Sequence, residues 1–284
     1  MKRRQSKHKR VVSKKIAASA VIIILLLITV AYLHFYWQSL PPTHSENATY
    51  IYQPYVPTQG QRVVSIVFDD GWQSQIDNAV PVLNQYGFKT TFGIITGYAD
   101  ERRLPSTSWP AYMNWAEIIE LVKNGQDIAS HTYDHRNLAT LNTVTIDYEL
   151  SRSKQDLNSH GINAPVFIYP FGAGAGNTIV ESFVQKYYLI ALDISDGTVN
   201  ITQPFNRLEL PAYVIYNTTT LTQFTNIVNN ADNSTIVIIF YHKISSEDID
   251  TATSPQAFAA QMKYLSDNNY TVMTLRDLFL KRVG

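Results

Sequence analysis

The chain has 284 residues, with 23 Lys and Arg residues against 23 Asp and Glu residues, so its formal net charge is zero. This balance argues against a nucleic-acid-binding protein, which usually carries a basic excess. A hydrophobic content of 45 % with 16 % charged residues is typical of a folded chain. Because the chain has no cysteine, disulfides, thiol nucleophiles and cysteine-ligated metal sites are excluded.

The amino-terminal segment carries a strong charge and hydropathy pattern. Residues 1–15 contain eight Lys or Arg residues and no acid. Residues 16–37 contain no Lys, Arg, Asp or Glu. A run of this length can span a bilayer, and the basic flank predicts a cytoplasmic tail before a single-pass signal-anchor in the cell membrane. The rest of the chain would then lie outside. The alternative is a cleavable signal peptide, but its apolar core would be shorter and would end in small residues, unlike Tyr36 and Trp37.

A linker and one large domain are expected after this segment. Residues 38–61 include four prolines among polar residues, which is typical of an extended linker. Residues 62–284 alternate apolar runs with helical patterns, which predicts a parallel α/β fold, with a barrel as one allowed form. The expected strands are 63–68, 91–95, 127–129, 166–169, 189–192, 207–210 and 236–241, and the expected helices are 76–86, 115–123, 144–160, 178–187, 221–230 and 255–267.

Acids and histidines follow several of these strands, where parallel α/β proteins place their chemistry. Asp69 and Asp70 follow the first strand, and His242 follows the last. Two adjacent carboxylates resist joint ionisation unless a cation or a proton intervenes, which favours one metal ligand and one general base. An Asp pair in an ordinary turn is the alternative. His242 is either a packed core residue or a general acid, which Asp193 or Asp196 could orient.

His131 and His135 follow the third strand and are four residues apart. On a helix or a tight helical turn, this spacing places both imidazoles on one face, suited to a single metal. Together with Asp70 they would leave positions for water and substrate, as catalytic metal sites do. Zinc fits such ligands, but oxygenases bind iron(II) with the same set, so ligand type leaves the metal open. Two unrelated surface histidines are the alternative.

Taken in order, these residues resemble the five motifs of the polysaccharide deacetylases, the NodB-homology group or carbohydrate esterase family 4. The resemblance covers about residues 62–284. The motifs are Phe68-Asp69-Asp70-Gly71, His131-Thr132-x-x-His135, Tyr169-Pro170-Phe171-Gly172, Asp193-x-x-Asp196 and Ile238-x-Phe240-x-His242. The first two together are specific, whereas the last three are degenerate in this chain.

The resemblance implies a distorted (β/α) barrel with fewer than eight regular units. It implies one divalent metal ion, usually Zn²⁺, on Asp70, His131 and His135. It further implies that Asp69 is the general base and His242 the general acid. The expected activity is hydrolytic removal of N-acetyl groups from a polysaccharide, with Pro170, Phe171 and Gly172 near the oxyanion or the substrate.

The chain departs from the family pattern at two motifs. Ile168 stands where the third motif usually has Arg, a feature shared with the biofilm poly-N-acetylglucosamine deacetylase branch, which this chain resembles in motif style. Asp196-Gly197 replaces the usual Asp-Trp, so Trp72 or Trp109 is a candidate sugar-stacking wall. These departures affect the substrate more than the reaction. The alternatives are an O-acetyl esterase on xylan, a hydrolase of small cyclic amides, and a sugar-binding protein without activity.

Overall fold

The computed structural model describes residues 49–99 and 112–283. In these ranges the helices are α1 (Val80–Tyr86), α2 (Trp115–Lys123), α3 (Thr143–Ser159), α4 (Thr178–Tyr187), α5 (Leu221–Val228), α6 (Pro255–Asp267) and α7 (Leu275–Phe279). The strands are β1 (Thr49–Tyr52), β2 (Val63–Phe68), β3 (Thr91–Ile94), β4 (Asp127–Ser130), β5 (Val166–Ile168), β6 (Ala173–Gly176), β7 (Ile190–Leu192), β8 (Thr198–Asn200), β9 (Tyr213–Val214), β10 (Thr235–Tyr241), β11 (Lys243–Ile244), β12 (Ala252–Thr253), β13 (Thr271–Val272) and β14 (Leu280–Val283).

A mostly parallel sheet forms the centre of the domain. Its strand order is β7-β5-β4-β3-β2-β10-β8, and only the pairing of β8 with β10 is antiparallel. The chain between Leu210 and Val214 connects the two sides of this sheet. Leu210 forms a parallel bridge with Leu192 of β7, and β9 pairs with β10. The sheet therefore curls into a half-barrel-like α/β fold, which confirms the expected fold class.

Side chains alternate between the two faces of each strand, and this alternation separates the core into layers. In β2, Val63 and Val67 belong to an apolar cluster inside the barrel, whereas Val64 and Ile66 pack outwards against helices. All six residues of β2 are buried, which explains the nearly continuous apolar run in the sequence, interrupted only by Ser65. Helix α7 belongs to the interior cluster and follows β13, which pairs with the beginning of β2, so α7 covers the amino-terminal end of the barrel.

Three helices have the bounds expected from the sequence, and the caps explain why. Asn114 and Glu117 form a reciprocal capping box at the start of α2. Ser254 caps α6 through the backbone N–H of Ala257, and Pro255 occupies the first helical position. Asn177 caps α4 in the same way as Ser254 caps α6. Side-chain caps are local signals, so a sequence reveals them without knowledge of tertiary contacts.

Four expectations need correction. Residues 207–210 form a turn with a single bridge at Leu210, and the strand pairing with β10 comes later, at β9. The expected helix 76–86 begins with a π-helical turn, Gln75–Ala79. His131 and His135 lie in a loop rather than on a helix. Within the expected linker 38–61, residues 49–52 form β1, which pairs antiparallel with β14.

The expected cytoplasmic tail and signal-anchor, residues 1–15 and 16–37, lie outside the described residues. Within 49–99 and 112–283, no helix has the length and apolar character needed to cross a membrane.

Candidate active site

Three of the candidate residues follow directly after parallel strands and converge at one end of the barrel. Asp69 comes after β2, His131 after β4 and His242 after β10. In each strand, the residue two positions earlier belongs to the interior cluster. Alternation of side chains therefore directs all three groups over the carboxyl end of the barrel, opposite the end that α7 covers.

His131 is completely buried, and a backbone carbonyl orients its ring. Its Nδ1 atom lies 2.9 Å from the carbonyl oxygen of Ile168, and because a carbonyl only accepts, Nδ1 carries a hydrogen. Its Nε2 atom faces two carboxylates, 3.1 Å from Oδ2 of Asp69 and 3.5 Å from Oδ1 of Asp70. Metal-binding histidines are commonly held by such a bond at the other ring nitrogen.

Asp70, His131 and His135 form a set that fits a divalent cation. Each offers one ligand atom, and these atoms all lie within 4.8 Å of one another. Oδ1 of Asp70 lies 3.3 Å from Nε2 of His135. Within the described residues, Oδ1 of Asp70 and Nε2 of His131 are buried without a hydrogen bond, which is costly unless another group binds them. Two imidazoles and one carboxylate suit Zn²⁺ and related ions.

The electrostatics of the metal-free cluster show the same need for positive charge. Burial lowers the pKa of His131, but the charges of Asp69 and Asp70 outweigh burial and raise it to about 10. Burial raises the pKa of Asp70, but its interactions with His131 outweigh that effect and lower it to about 2. Burial and the charge of His131 lower the pKa of His135 to about 4. A bound cation would take the place of the proton on His131.

Strained backbone is concentrated around these ligands. Asp70, Thr132, His135 and Phe171 all have a positive φ, between 54° and 68°, although none is glycine. Such conformations cost free energy and persist where the surrounding structure holds them, commonly at functional sites. Gly71, with φ 74°, continues the turn that brings Asp70 beside Asp69, as the sequence suggested.

The loop that carries both histidine ligands is held by two neighbouring side chains. Oγ1 of Thr132 accepts a hydrogen bond from the backbone N–H of His135 at 2.9 Å. Oε2 of Glu149, a buried residue of α3, accepts one from the backbone N–H of Asp134, also at 2.9 Å. These bonds fix the loop between the two imidazoles. The sequence does not single out Glu149, because nothing in the spacing of α3 distinguishes it from a surface acid.

Gln75 connects the two candidate proton-transfer residues. Its side-chain amide donates to the backbone carbonyl oxygens of Asp69, at 2.6 Å, and His242, at 2.8 Å. Oδ2 of Asp69 lies 3.9 Å from Nε2 of His242. Asp69 is 4 % exposed, and its Oδ1 atom has no hydrogen bond within the part of the chain that the structure describes. A buried carboxylate with an unused oxygen can accept a proton from a water molecule in the site.

The structure gives Asp193 partners other than His242. Its carboxylate accepts hydrogen bonds from the backbone N–H of Ile194, at 2.8 Å, and from Oγ of Ser195, at 2.6 Å. Nδ1 of His242 has no hydrogen-bond partner among residues 49–99 and 112–283. No acid of these ranges, Asp196 included, forms an ion pair with that nitrogen. An orienting role for either acid stays a prediction.

The third motif forms the open side of the site. Pro170–Gly172 is a single 3₁₀ turn directly after Tyr169. The ring of Phe171 is 60 % exposed, and its centroid lies 4.5 Å from that of His135. Phe171 therefore borders the ligand set from the solvent side.

Trp72 is packed and hydrogen-bonded beside the ligand set, and its expected role as a sugar-stacking wall stays a prediction. Its indole Nε1 donates to Oδ2 of Asp70 at 2.9 Å. The ring of Tyr112 stacks on the indole at 4.4 Å, and the ammonium of Lys243 lies 4.6 Å from the indole centroid. Trp109, the other candidate wall, lies outside the described residues.

Comparison with known proteins agrees with this geometry. The family model described as polysaccharide deacetylase matches residues 57–187, which contain Asp69, Asp70, His131 and His135 but not His242. A bifunctional xylanase/deacetylase of Pseudobutyrivibrio xylanivorans is 21 % identical over 78 % of this chain and 31 % of its own length. A probable peptidoglycan-N-acetylglucosamine deacetylase of Arthroderma benhamiae is 27 % identical over 46 % of this chain and 28 % of its own.

The fold is shared with solved deacetylase structures. The Xyl-CE4 domain of a multidomain xylanase from the hindgut metagenome of Trinervitermes trinervoides superposes with a TM-score of 0.54, at 21 % identity, over 77 % of this chain and 90 % of that domain. The chain spans less than two fifths of the curated relatives it matches. Residues 57–187 therefore match the polysaccharide deacetylase family model, and the fold of the described residues is that of a carbohydrate esterase family 4 structure.

Proposed function

We propose that this chain is a metal-dependent hydrolase that removes N-acetyl groups from an extracellular polysaccharide or glycan. The observation that carries the proposal is the grouping of Asp70, His131 and His135 within 4.8 Å, with Asp69 and His242 beside them. Amide hydrolysis can be catalysed by a metal ion together with a general base and a general acid, and this site could supply all three.

The proposed metal is a single divalent ion, Zn²⁺ by ligand chemistry, held by Asp70, His131 and His135. When bound, it supplies Lewis acidity toward the acetyl carbonyl and toward water. Asp69 accepts the proton from the attacking water. The backbone N–H of Phe171, at the open side of the site, donates to the oxygen on which negative charge develops.

His242 completes the proposed reaction by donating a proton to the leaving amine. An imidazole suits this step because it changes charge near neutral pH. Its Nε2 atom lies 3.9 Å from Oδ2 of Asp69, so base and acid lie on adjacent sides of one small space. Two features fix the distance between Asp69 and His242. Strands β2 and β10 pair in parallel, and the side-chain amide of Gln75 donates to the backbone carbonyls of both residues.

The N-acetyl substrate is supported by the Arthroderma relative, whose name assigns it to peptidoglycan N-acetylglucosamine. An O-acetyl esterase acting on xylan is the second candidate, because the Pseudobutyrivibrio relative combines a deacetylase with a xylanase. Both reactions use the same metal and base, so the site geometry does not separate them. They differ in the leaving group, since only the amine needs full protonation by His242.

The proposal is tested by acetate release and metal analysis on the purified chain. We expect about one divalent ion per chain, and release of acetate from N-acetylglucosamine oligomers that exceeds release from acetylated xylan. The reverse preference would establish the O-acetyl esterase. Bound metal without acetate release from either polymer would indicate a sugar-binding protein, and a chain that binds no metal would overturn the proposal.

We also propose that residues 16–37 anchor the enzyme in the cell membrane with the catalytic domain outside. The support is the uncharged apolar run and the eight basic residues before it. Protease added to intact cells should digest the catalytic domain while the anchor segment stays in the membrane fraction. A catalytic domain protected from external protease, or released without its anchor, would contradict this placement.

A further inference from the structure

The two carboxylate oxygens of Asp70 have different surroundings. Oδ1 lies 3.5 Å from Nε2 of His131 and 3.3 Å from Nε2 of His135, and it is buried without a hydrogen bond in the described residues. Oδ2 points the other way and accepts a hydrogen bond from Nε1 of Trp72 at 2.9 Å. One oxygen therefore faces the ligand cluster, while the other is already engaged.

Trp72 is itself held firmly. Its ring stacks on Tyr112 with centroids 4.4 Å apart and planes inclined by 22°. Lys243, which is 8 % exposed and paired with Glu247, places its ammonium 4.6 Å from the indole centroid. The backbones of Trp72 and Tyr112 also form an antiparallel bridge. A side chain restrained by a stacked ring, a cation and a backbone bridge can hold a hydrogen bond at a fixed position.

Asp70 needs such a restraint. Its φ of 68° lies in the left-handed region, which a non-glycine residue leaves readily unless its surroundings hold it. A carboxylate with two free oxygens could also bind a cation through both of them or rotate between them. A hydrogen bond to one oxygen leaves only the other oxygen free to bind the cation. Loss of such a hydrogen bond next to a metal ligand typically weakens metal binding about 10- to 100-fold.

We propose that Trp72 is a positioning residue that fixes Asp70 as a single-oxygen metal ligand. The inference rests on the proposed function only in requiring that the chain binds a divalent metal. It also assigns Trp72 a role other than sugar stacking, because Tyr112 and Lys243 already pack against the indole ring.

The test compares Trp72→Phe and Trp72→Tyr with the unmodified chain. Both variants keep an aromatic ring but lack the indole N–H. Zn²⁺ affinity is measured by competition with a chromophoric chelator, and the coordination of Co²⁺ by its visible absorption. We expect about 10-fold weaker Zn²⁺ binding, a changed Co²⁺ spectrum, and, at saturating metal, a lower kcat with an unchanged KM.

The matched control is Trp115→Phe. Trp115 stacks on His160 at the start of α2 rather than on a ligand, so its replacement should leave both metal readouts unchanged. Unchanged Zn²⁺ affinity and Co²⁺ spectrum in both Trp72 variants would overturn the inference. A raised KM with unchanged affinity would instead make Trp72 a sugar contact. If the unmodified chain binds no metal, the proposed function fails first, which distinguishes the two failures.

Discussion

The side chain of His131 and the backbone of Ile168 form one hydrogen-bonded unit, with Nδ1 lying 2.9 Å from the carbonyl oxygen. Ile168 is the position where the family resemblance leads one to expect arginine. In this chain its side chain packs inside the barrel, while its carbonyl orients a metal ligand. The backbone of the third motif therefore serves the site even though the usual side chain is absent.

Replacing His131 with alanine should remove both metal and activity. The substitution takes away a ligand atom that lies among two carboxylates, and it leaves the Ile168 carbonyl without its donor. We expect Zn²⁺ content to fall to background and acetate release to become undetectable. Retention of one metal ion per chain in His131→Ala would contradict the assigned ligand set. Addition of chelator to the unmodified chain should reproduce the loss, and added Zn²⁺ should restore activity.

Asp69→Asn and His242→Ala should separate proton transfer from metal binding. Neither residue belongs to the proposed ligand set, so both variants should keep their metal. Removal of a general base or acid typically costs 10²- to 10⁴-fold in rate, and we expect kcat to fall by about that factor in each. The measurements are steady-state acetate release and metal content on the same preparations. Full activity in Asp69→Asn would rule out its role as base.

Gly93→Ala should disturb the base without touching the ligands. A Cβ at this position would lie 2.9 Å from Oδ1 of Asp69 and 2.7 Å from Cδ1 of Ile168, closer than such atoms normally approach. We expect a lower kcat, a lower Tm because overpacking a core typically costs about 1–3 kcal/mol, and an unchanged metal content. In Gly93→Ala/Ile168→Val the clash with Cδ1 is gone, so Tm should recover while kcat stays low. Recovery of both together would show that crowding of Asp69 is unimportant.

Glu149→Gln should weaken metal binding from a distance. Glu149 accepts a hydrogen bond from the backbone N–H of Asp134, in the loop between the histidine ligands. The neutral amide oxygen of glutamine accepts a weaker hydrogen bond than a carboxylate does, so the loop would be held less firmly. We expect roughly 10-fold weaker Zn²⁺ binding. Glu120→Gln, an exposed change on α2, is the control and should have no effect on affinity.

Asp127 should make stability depend on pH. Burial raises the pKa of Asp127 to about 6, against the opposing charge of Arg276, whose Nη1 lies 3.1 Å away. The folded state holds this proton more tightly than the unfolded state does. The protonated Asp127 therefore adds to the free energy of unfolding in full below about pH 4, and this added stability is lost as the pH rises through about 6. The loss is on the order of 3 kcal/mol for a shift of this size.

Urea unfolding between pH 4 and pH 7 measures this effect. The difference in free energy of unfolding between the unmodified chain and Asp127→Asn should shift by that amount across the interval, in favour of the variant at the higher pH. Other acids titrate in the same range, but they are common to both proteins and cancel in the difference. A difference that is constant with pH would show that Asp127 titrates normally.

Local signals explain what the sequence could predict. The buried run 63–68 and the capped helices α2, α4 and α6 depend on residues close together in the chain, and their bounds agree with the structure. The placement of Asp69 and Asp70 after an apolar strand likewise needed only the order of residues. Parallel strands then bring these ends together, because their carboxyl ends share one edge.

Long-range contacts explain what the sequence could not predict. Residues 207–210 were expected to form a strand, but only Leu210 pairs, through a single bridge to Leu192. The sequence of so short a segment does not distinguish a strand from a turn. The indole of Trp72, which donates to Asp70, packs against the ring of Tyr112, 40 positions later. The spacing of His131 and His135 suggested a helix or a tight helical turn, but left-handed backbone conformations at Thr132 and His135 bring their rings together instead.

The pairing of β2 with β10 sets the spacing of the two candidate proton-transfer groups. Phe68 stands opposite Tyr241, so Asp69 and His242 leave the sheet at the same height, one strand apart. The backbone N–H of Asp69 donates to the carbonyl oxygen of Tyr241 at 2.8 Å, so the ladder continues up to the site. We therefore expect changes in the surrounding loops to alter which polymer is accepted while the separation of Asp69 and His242 stays the same.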